Sequence, residues 1–155
     1  MSFEPALLSA MTALVAVVVS PIVSLYIAKR QINTTVISKN RQEWINQLRS
    51  EITKLLKLAI HTPSAYSSDA LVLKEAILKH GELLEKVNLV KLLINPKESD
   101  HIELVRLIDS INELVIRSIE HKKGNAKDIE GLAQAIVSQS QQIFKREWER
   151  VKSGK

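Results

Sequence analysis

The feature that most constrains this chain is a run of 23 residues, 6–28, without a charged side chain. At about 1.5 Å per residue, a helix of this length reaches roughly 34 Å, enough to cross a hydrocarbon core of about 30 Å. A signal peptide needs a basic region before its apolar core, and Met-Ser-Phe-Glu-Pro stands there instead. We therefore predict a retained membrane anchor over residues 1–30, with a buried soluble helix and a cleaved signal as alternatives.

Basic residues predict the orientation of the anchor. No Lys or Arg precedes the apolar run, whereas Lys29 and Arg30 follow it directly, and residues 29–57 carry seven basic side chains against two acidic ones. Because basic residues beside a membrane span stay on the cytoplasmic side, we expect the rest of the chain in the cytoplasm. An anionic membrane surface is the partner that this basic segment predicts.

The anchor also separates small residues from large ones. At about 100° per residue, small and hydroxylated side chains fall on one face, and Leu, Val and Ile fall on the other. The members of the small-residue face are Ser9, Ala13, Ala16, Ser20 and Ser24. Such residues allow helix backbones to approach closely and hydroxyls to bond between helices, which predicts self-association through this face. The alternative is that Ser and Ala are simply common in membrane helices.

The remaining residues, 31–155, show helical periodicity. Apolar residues recur at three- and four-residue spacing in four stretches that begin near residues 41, 69, 96 and 126. The chain has only four Gly and four Pro, and aromatic residues make up 4% of it, a composition that favours long helices over a sheet. We predict an all-α fold, with an N-terminal transmembrane helix followed by an antiparallel four-helix bundle in the cytoplasm.

The connections between the predicted helices have recognisable signals. Residues 31–38 contain no Gly or Pro, so we expect the anchor helix to continue through them. Residues 62–69 are typical of a loop, and Lys-Lys-Gly at 122–124 is typical of a helix end. In the sequence Asn-Pro-Lys-Glu at 95–98, Asn is suited to the cap, Pro to the first helical position and Glu to a capping box, so we predict a helix start.

Few residues suggest catalysis or metal binding. The absence of cysteine excludes disulfides, thiolate metal sites and cysteine nucleophiles. Glu98 and His101 have the Glu-x-x-His spacing of carboxylate di-metal bundles, but such a site needs the motif twice and two further glutamates. His80 lies on an apolar face, where we expect a hydrogen-bonded bundle residue. We predict no catalytic, cofactor-binding or metal-ligating residue, and no cofactor.

The most distinctive segment of the bundle is 41–49, Arg-Gln-Glu-Trp-Ile-Asn-Gln-Leu-Arg. Trp44 shares an apolar stripe, and Arg41 and Arg49 flank it. In the structural interpretation, Trp44 belongs to the bundle core and the arginines pair with carboxylates or lipid headgroups. In the functional interpretation, the segment transmits movement between the bundle and the anchor.

Arg117 and His121 share one face of the third bundle helix. They invite comparison with HEPN ribonucleases, helical bundles whose signature places four to six residues between an Arg and a His. Here three residues intervene. The alternative interpretation is a solvated last turn, where basic groups complement the helix dipole.

Two short motifs carry a resemblance. With one N-terminal span, R-x-x-W-I-x-x-L-R at 41–49 and N-P-x-E-x-D-H at 95–101 resemble a family of small bacterial single-pass membrane proteins of largely unknown function. The layout is also similar, more loosely, to the membrane accessory pore proteins of type VI-B CRISPR systems, which join a membrane helix to a degenerate HEPN-like bundle. The resemblance implies a bacterial inner membrane and antiviral defence through a multimeric pore.

These observations predict a non-enzymatic, self-associating membrane protein that forms an oligomeric pore or another membrane effector. A membrane-tethered adaptor that recruits a cytosolic protein through the basic residues 145–155 is the second hypothesis. A ribonuclease that uses Arg117 and His121 is the third. The expected partners are membrane lipids, further copies of the chain and a cytosolic protein, whereas the charge pattern does not require nucleic acid.

Overall fold

A computed structural model describes residues 4–62, 70–121 and 126–153, and within these ranges it contains helices and no strand. The all-α prediction is confirmed. The predicted helix end at 122–124, and all but the first residue of the predicted loop at 62–69, lie outside the described residues. The elements are α1 (Glu4–Ile32), a π-helical segment (Asn33–Ile37), α2 (Ser38–His61), α3 (Ala70–Leu93), α4 (Ser99–His121) and α5 (Ala126–Ser153).

Helix α1 is long and apolar enough to cross a membrane, and its most apolar stretch buries nothing against the rest of the described chain. Leu14 and Leu25 are each 71% exposed, and Tyr26 is 67% exposed. A contiguous apolar surface of this kind marks contact with lipid or with another chain, because soluble proteins rarely leave one in water.

The helical path does not break where the apolar run ends. Ile32, Ile37 and Ser38 all have right-handed helical backbone angles, so α1, the π segment and α2 follow one another without a turn. The prediction that the anchor helix continues through residues 31–38 is therefore confirmed. The π segment is the unpredicted part. Its wider turns rotate the faces of α2 relative to those of α1, and it falls where β-branched residues weaken the α-helix.

Helices α2–α5 form an antiparallel bundle in which each helix packs on the next and α5 closes against α2. The Trp44 indole reaches Leu93 near the end of α3, and the Ser38 hydroxyl donates to the carbonyl of Val151 near the end of α5, at 3.3 Å. The start of α2, the end of α3, the start of α4 and the end of α5 therefore lie together beside the π segment. This end is termed the proximal end, and the opposite one the distal end.

The bundle core consists of aliphatic side chains contributed by all four helices, each worth about 1.5–3 kcal/mol when fully buried. His80 is a hydrogen-bonded bundle residue, as predicted, with Nε2 at 3.2 Å from Oδ1 of Asn112. The largest aliphatic side chains that are completely buried are Leu48, Leu55, Leu83, Leu104, Ile108, Ile111, Ile136 and Ile143.

Candidate functional site

Charged residues from three helices meet at the proximal end of the bundle, in a set that we term the proximal cluster. Helix α2 contributes one cation from its first turn, α4 contributes its N-terminal acids and a histidine, and α5 contributes side chains from its last two turns. The members are Arg41, Glu98, Asp100, His101, Arg146, Glu147 and Arg150.

Arg146 is the centre of the proximal cluster. Its guanidinium donates hydrogen bonds to the carboxylates of Glu98, just before α4, and Asp100, in its first turn, and its Nε donates to Glu147 at 3.1 Å. The side chain is one-third exposed. A planar group with five donors can satisfy several carboxylates at once, which a lysine ammonium on a flexible stem does less well. Arg146 therefore ties the start of α4 to the end of α5.

The pairing of opposite charges shifts the pKa values of Asp100 and Arg146. Burial opposes the ionisation of Asp100, but the hydrogen bond and the charge of Arg146 outweigh it, so the pKa of Asp100 lies below its ordinary value. Burial also disfavours the Arg146 cation, but hydrogen bonds to Asp100 and Glu147 raise the pKa of Arg146 above its ordinary value. In total, three carboxylates face three guanidiniums, so the charged groups of the cluster balance.

Glu147 is the buried link between α5 and α2. It is 5% exposed, and its carboxylate lies 3.4 Å from Arg41 and 2.6 Å from Arg150. A carboxylate this deeply buried is tolerable only when cations surround it, because its desolvation costs several kcal/mol otherwise. Arg41, which the sequence assigned to either a carboxylate or a headgroup, is thus paired with a carboxylate of the bundle itself.

Two aromatic rings close the inner side of the cluster. The indole Nε1 of Trp44 donates to the carbonyl of Leu93 at 2.6 Å, and its ring lies 6.0 Å from that of His101. His101 is 3% exposed, and its Nδ1 accepts the backbone N–H of Asn95 at 2.9 Å. The other ring nitrogen, Nε2, faces Glu98 at 3.8 Å. These contacts fix the α3–α4 connection against α2.

The predicted capping box at the start of α4 forms only in part: Oδ1 of Asn95 accepts the backbone N–H of Lys97 at 3.1 Å, but the role predicted for Glu98 is wrong. Helix α4 begins at Ser99 and not at Pro96. The backbone N–H of Asn95, which the box would join to the Glu98 side chain, instead donates to the histidine described above. The Glu98 carboxylate accepts a hydrogen bond from Arg146 of α5. The ion pair between Glu98 and Arg146, which is distant in sequence, thus replaces the hydrogen bond that the capping-box motif predicts.

The ligand atoms of Glu98, Asp100 and His101 lie within 4.8 Å of one another, a spacing that a metal ion could bridge. The Arg146 guanidinium contacts the same atoms, because it donates to both carboxylates and lies 3.4 Å from the histidine Nε2. A guanidinium thus stands where a cation would bind. Among the described residues, Glu98, Asp100 and His101 therefore belong to an ion network that is centred on Arg146.

A cleft of about 450 Å³ opens beside the cluster, between the end of the π segment and the bundle. Ile37 and Trp44 supply its apolar wall, while Arg41, Glu98 and Arg150 supply charges of both signs. Because the charges are mixed, the cleft has no strong preference for an ion of one sign. Its position matters more, since it lies where the connecting helix enters the bundle.

Arg49 lies away from the proximal cluster. Its guanidinium is 5.2 Å from the centre of the Phe144 ring, and it donates to Oδ1 of Asn46 at 3.4 Å. Of the three residues that the sequence singles out in 41–49, the structure brings Arg41 and Trp44 to the cluster and leaves Arg49 on the surface between α2 and α5.

The remaining sequence-selected residues lie apart. Arg117 is 65% exposed and pairs with Glu113 of its own helix at 3.3 Å, and the side chain of His121 lies outside the described part of the chain. All five members of the small-residue face of α1 are exposed: Ser9, Ala13, Ala16, Ser20 and Ser24.

The α5 members of the cluster are the residues that sequence reasoning missed. Glu98 and Arg146 are 48 positions apart, so no local motif joins them. The sequence does contain one indication of Glu147. The buried positions Ile136, Ser140 and Ile143 form a stripe with spacings of four and three, and the next position of that stripe is Glu147. A carboxylate on a core stripe predicts cations nearby.

The fold and the cluster together define a class of protein. It has one helix that is apolar enough for a membrane, joined without a break to a four-helix bundle that an arginine–carboxylate network closes at its proximal end. No family model, no curated protein and no solved structure matches the chain.

Proposed function

We propose that this protein is a membrane-anchored, self-associating helical effector, with α1 across a bacterial inner membrane and the bundle in the cytoplasm. The observation that carries the proposal is the unbroken helical path from α1 through the π segment into α2. A continuous helix transmits rotation and tilt, which a flexible linker would absorb. A change in the conformation of the bundle would therefore change the rotation or tilt of the membrane helix α1.

The orientation rests on the flanking charges. Lys29 and Arg30 follow the apolar run at the bundle side, where basic residues favour the cytoplasmic face of a membrane. The exposed, uncharged surface of α1 supports its placement in lipid. The bundle then stands on the cytoplasmic leaflet with its proximal end nearest the membrane.

Self-association is proposed through the small-residue face of α1. Ser20 and Ser24 continue this face towards the bundle and are exposed, so a second copy can approach closely there. The finer form of the proposal is an oligomer whose hydroxyl faces surround a polar path, which would act as a pore in antiviral defence. Loss of membrane potential on expression supports the pore, and unchanged potential with intact oligomers supports a sealed assembly.

The proximal cluster supports a coupling role. Arg41, one turn into α2, is held to Glu147 of α5 at 3.4 Å, and the Ser38 hydroxyl bonds to α5 as well. Because α2 is fixed to its neighbours from its first turn, movement of the bundle reaches the π segment without fraying of α2. The cluster is thus the clamp that makes the connecting helix part of a rigid body.

The coupling is tested by changing the phase of the connecting helix. Inserting five helix-forming residues after Arg30, within the α-helical part of the path, rotates α2 relative to α1 by about 140°, whereas inserting seven at the same point changes the phase by only about 20°. We expect the five-residue insertion to abolish the effect on membrane potential and the seven-residue insertion to preserve it, with both variants inserted and helical. Equal activity of the two variants would refute coupling through this helix.

A further inference from the structure

The fold brings two basic segments that are far apart in the sequence to the same end of the molecule. One follows the apolar run, and the other is the tail from residue 145, with five basic side chains against two acidic ones. The hydrogen bond from Ser38 to Val151, at 3.3 Å across 113 positions, and the pairing of Arg41 with Glu147 set the end of α5 level with the start of α2. The basic residues at the start of α2 and those in the last turns of α5 therefore belong to the proximal end.

The lysines are the cations of this end that lie outside the cluster, because the three arginines of the cluster are matched by its three carboxylates. Lys39, Lys97 and Lys152 are exposed. Lys39 lies 3.9 Å from Glu43, and Lys152 lies 3.1 Å from Glu149, in pairs whose members are more than half exposed. Such exposed pairs hold their partners weakly, so these lysines remain available to an external anion.

The distance to the membrane decides what this surface can reach. Ser38 is ten residues beyond Ala28, which places it about 15 Å above the hydrocarbon core if the helix stands upright. Headgroups fill about 5–7 Å of that span, so the end of α5 lies about 8–10 Å from the lipid surface. This separation is about one Debye length at physiological ionic strength, so attraction to anionic lipid is weakened but still felt.

The same distances exclude insertion of the Trp148 side chain into the bilayer as an aromatic anchor. Trp148 is 42% exposed, and the Lys152 ammonium lies 5.9 Å from the centre of its ring, an arrangement that resembles an interfacial anchor. Its neighbour Glu147 is level with Arg41, about 20 Å above the hydrocarbon. Trp148 is therefore too far away to enter the bilayer while the bundle stands upright. The contact must be electrostatic.

We propose that the proximal end of the bundle, through Lys39, Lys97 and Lys152, is a second membrane-contact surface that recognises anionic phospholipid headgroups. It rests on the proposed function only in requiring α1 in the membrane, and it does not require self-association. In a membrane rich in anionic lipid, the contact tilts α1 and the bundle together and brings the proximal end towards the leaflet, and this tilt is lost when the lipid charge is screened or absent.

The absence of cysteine makes the test clean, because Ser153→Cys gives one labelling site at the end of α5. The full chain, carrying a donor dye there, is placed in nanodiscs of phosphatidylcholine alone or with about one-third phosphatidylglycerol, each with a headgroup-labelled acceptor. Energy transfer should be higher in the anionic discs, and the difference should disappear between about 0.05 and 0.5 M salt.

Charge reversal gives the matched comparison. At one Debye length, each lysine contributes about twofold to the ratio of docked to undocked bundles, so Lys152→Glu should lower that ratio about fourfold. Lys97→Glu should lower the same ratio about fourfold. The double variant should show equal energy transfer in the neutral and the anionic nanodiscs. Lys127→Glu, at the distal end, makes the same change in net charge and should leave energy transfer unchanged.

The outcomes separate this proposal from the function proposed above. Equal energy transfer in the two lipid compositions, or equal losses in Lys127→Glu and Lys152→Glu, overturns the contact surface while leaving the membrane anchor intact. A full chain that stays out of nanodiscs, and is soluble without detergent, overturns the membrane anchor and this surface with it.

Discussion

Replacing Arg146 by Met removes the central cation of the proximal cluster and leaves its carboxylates in place. Glu98 and Asp100 lose their guanidinium donor, and the buried Glu147 keeps only Arg41 and Arg150. Breaking a fully buried ion pair costs about 3–5 kcal/mol. Because Arg146 is one-third exposed, water recovers part of this, and we expect a loss of about 2–3 kcal/mol in the free energy of unfolding.

The assay is thermal unfolding of the full chain in detergent micelles, followed by circular dichroism of the helical signal. A bundle of about 115 residues changes its Tm by about 4 °C per kcal/mol, so Arg146→Met should lower Tm by about 10 °C. The matched control is Arg117→Met, which breaks an exposed pair within one helix and should shift Tm by less than about 2 °C. Equal shifts in the two variants would refute the assignment of the cluster as a structural clamp.

Three further outcomes are expected. Trp44→Phe removes the 2.6 Å hydrogen bond to the α3 carbonyl and should cost about 1–2 kcal/mol by the same assay, whereas Trp148→Phe should be nearly neutral. Because the pKa of Asp100 is lowered by folding, its contribution is complete above its unfolded pKa of about 3.9 and is lost as pH falls through the folded value; Asp100→Asn should therefore flatten the loss of Tm between about pH 5 and pH 2. Ser20→Leu should reduce oligomer size in detergent by size-exclusion chromatography with light scattering, and unchanged assembly, or an equal effect of Ile22→Leu on the opposite side of α1, would contradict the proposed interface.

Much of the fold could be predicted because it depends on local periodicity. The stripe through Ile136, Ser140 and Ile143 repeats every three or four residues, and each of these side chains is buried in the structure. The π segment was beyond such reasoning, since its residues differ little in sequence from an ordinary weak helix. Its wider turns are a property of backbone hydrogen bonding, which composition alone does not determine.

The candidate site could be predicted only in part, because it is built from distant residues. Arg41 and Trp44 were identified from their pattern on one helix, but their partners come from α3, α4 and α5. Local reasoning assigned Glu98 to a capping box, and the structure gives its carboxylate to Arg146 instead. When a short motif and a buried ion network compete for one carboxylate, the network prevails through the larger number of charged hydrogen bonds.

The placement of α1 is tested most directly by the accessibility of single cysteines in a chain that has none of its own. In intact spheroplasts, a membrane-impermeant maleimide should label Ser2→Cys at once, whereas Ser153→Cys should react only after the membrane is permeabilised. Both variants should resist alkaline extraction from the membrane fraction. Labelling of Ser153→Cys in sealed spheroplasts, or recovery of either variant in the soluble fraction, would contradict a membrane-spanning α1 with a cytoplasmic bundle.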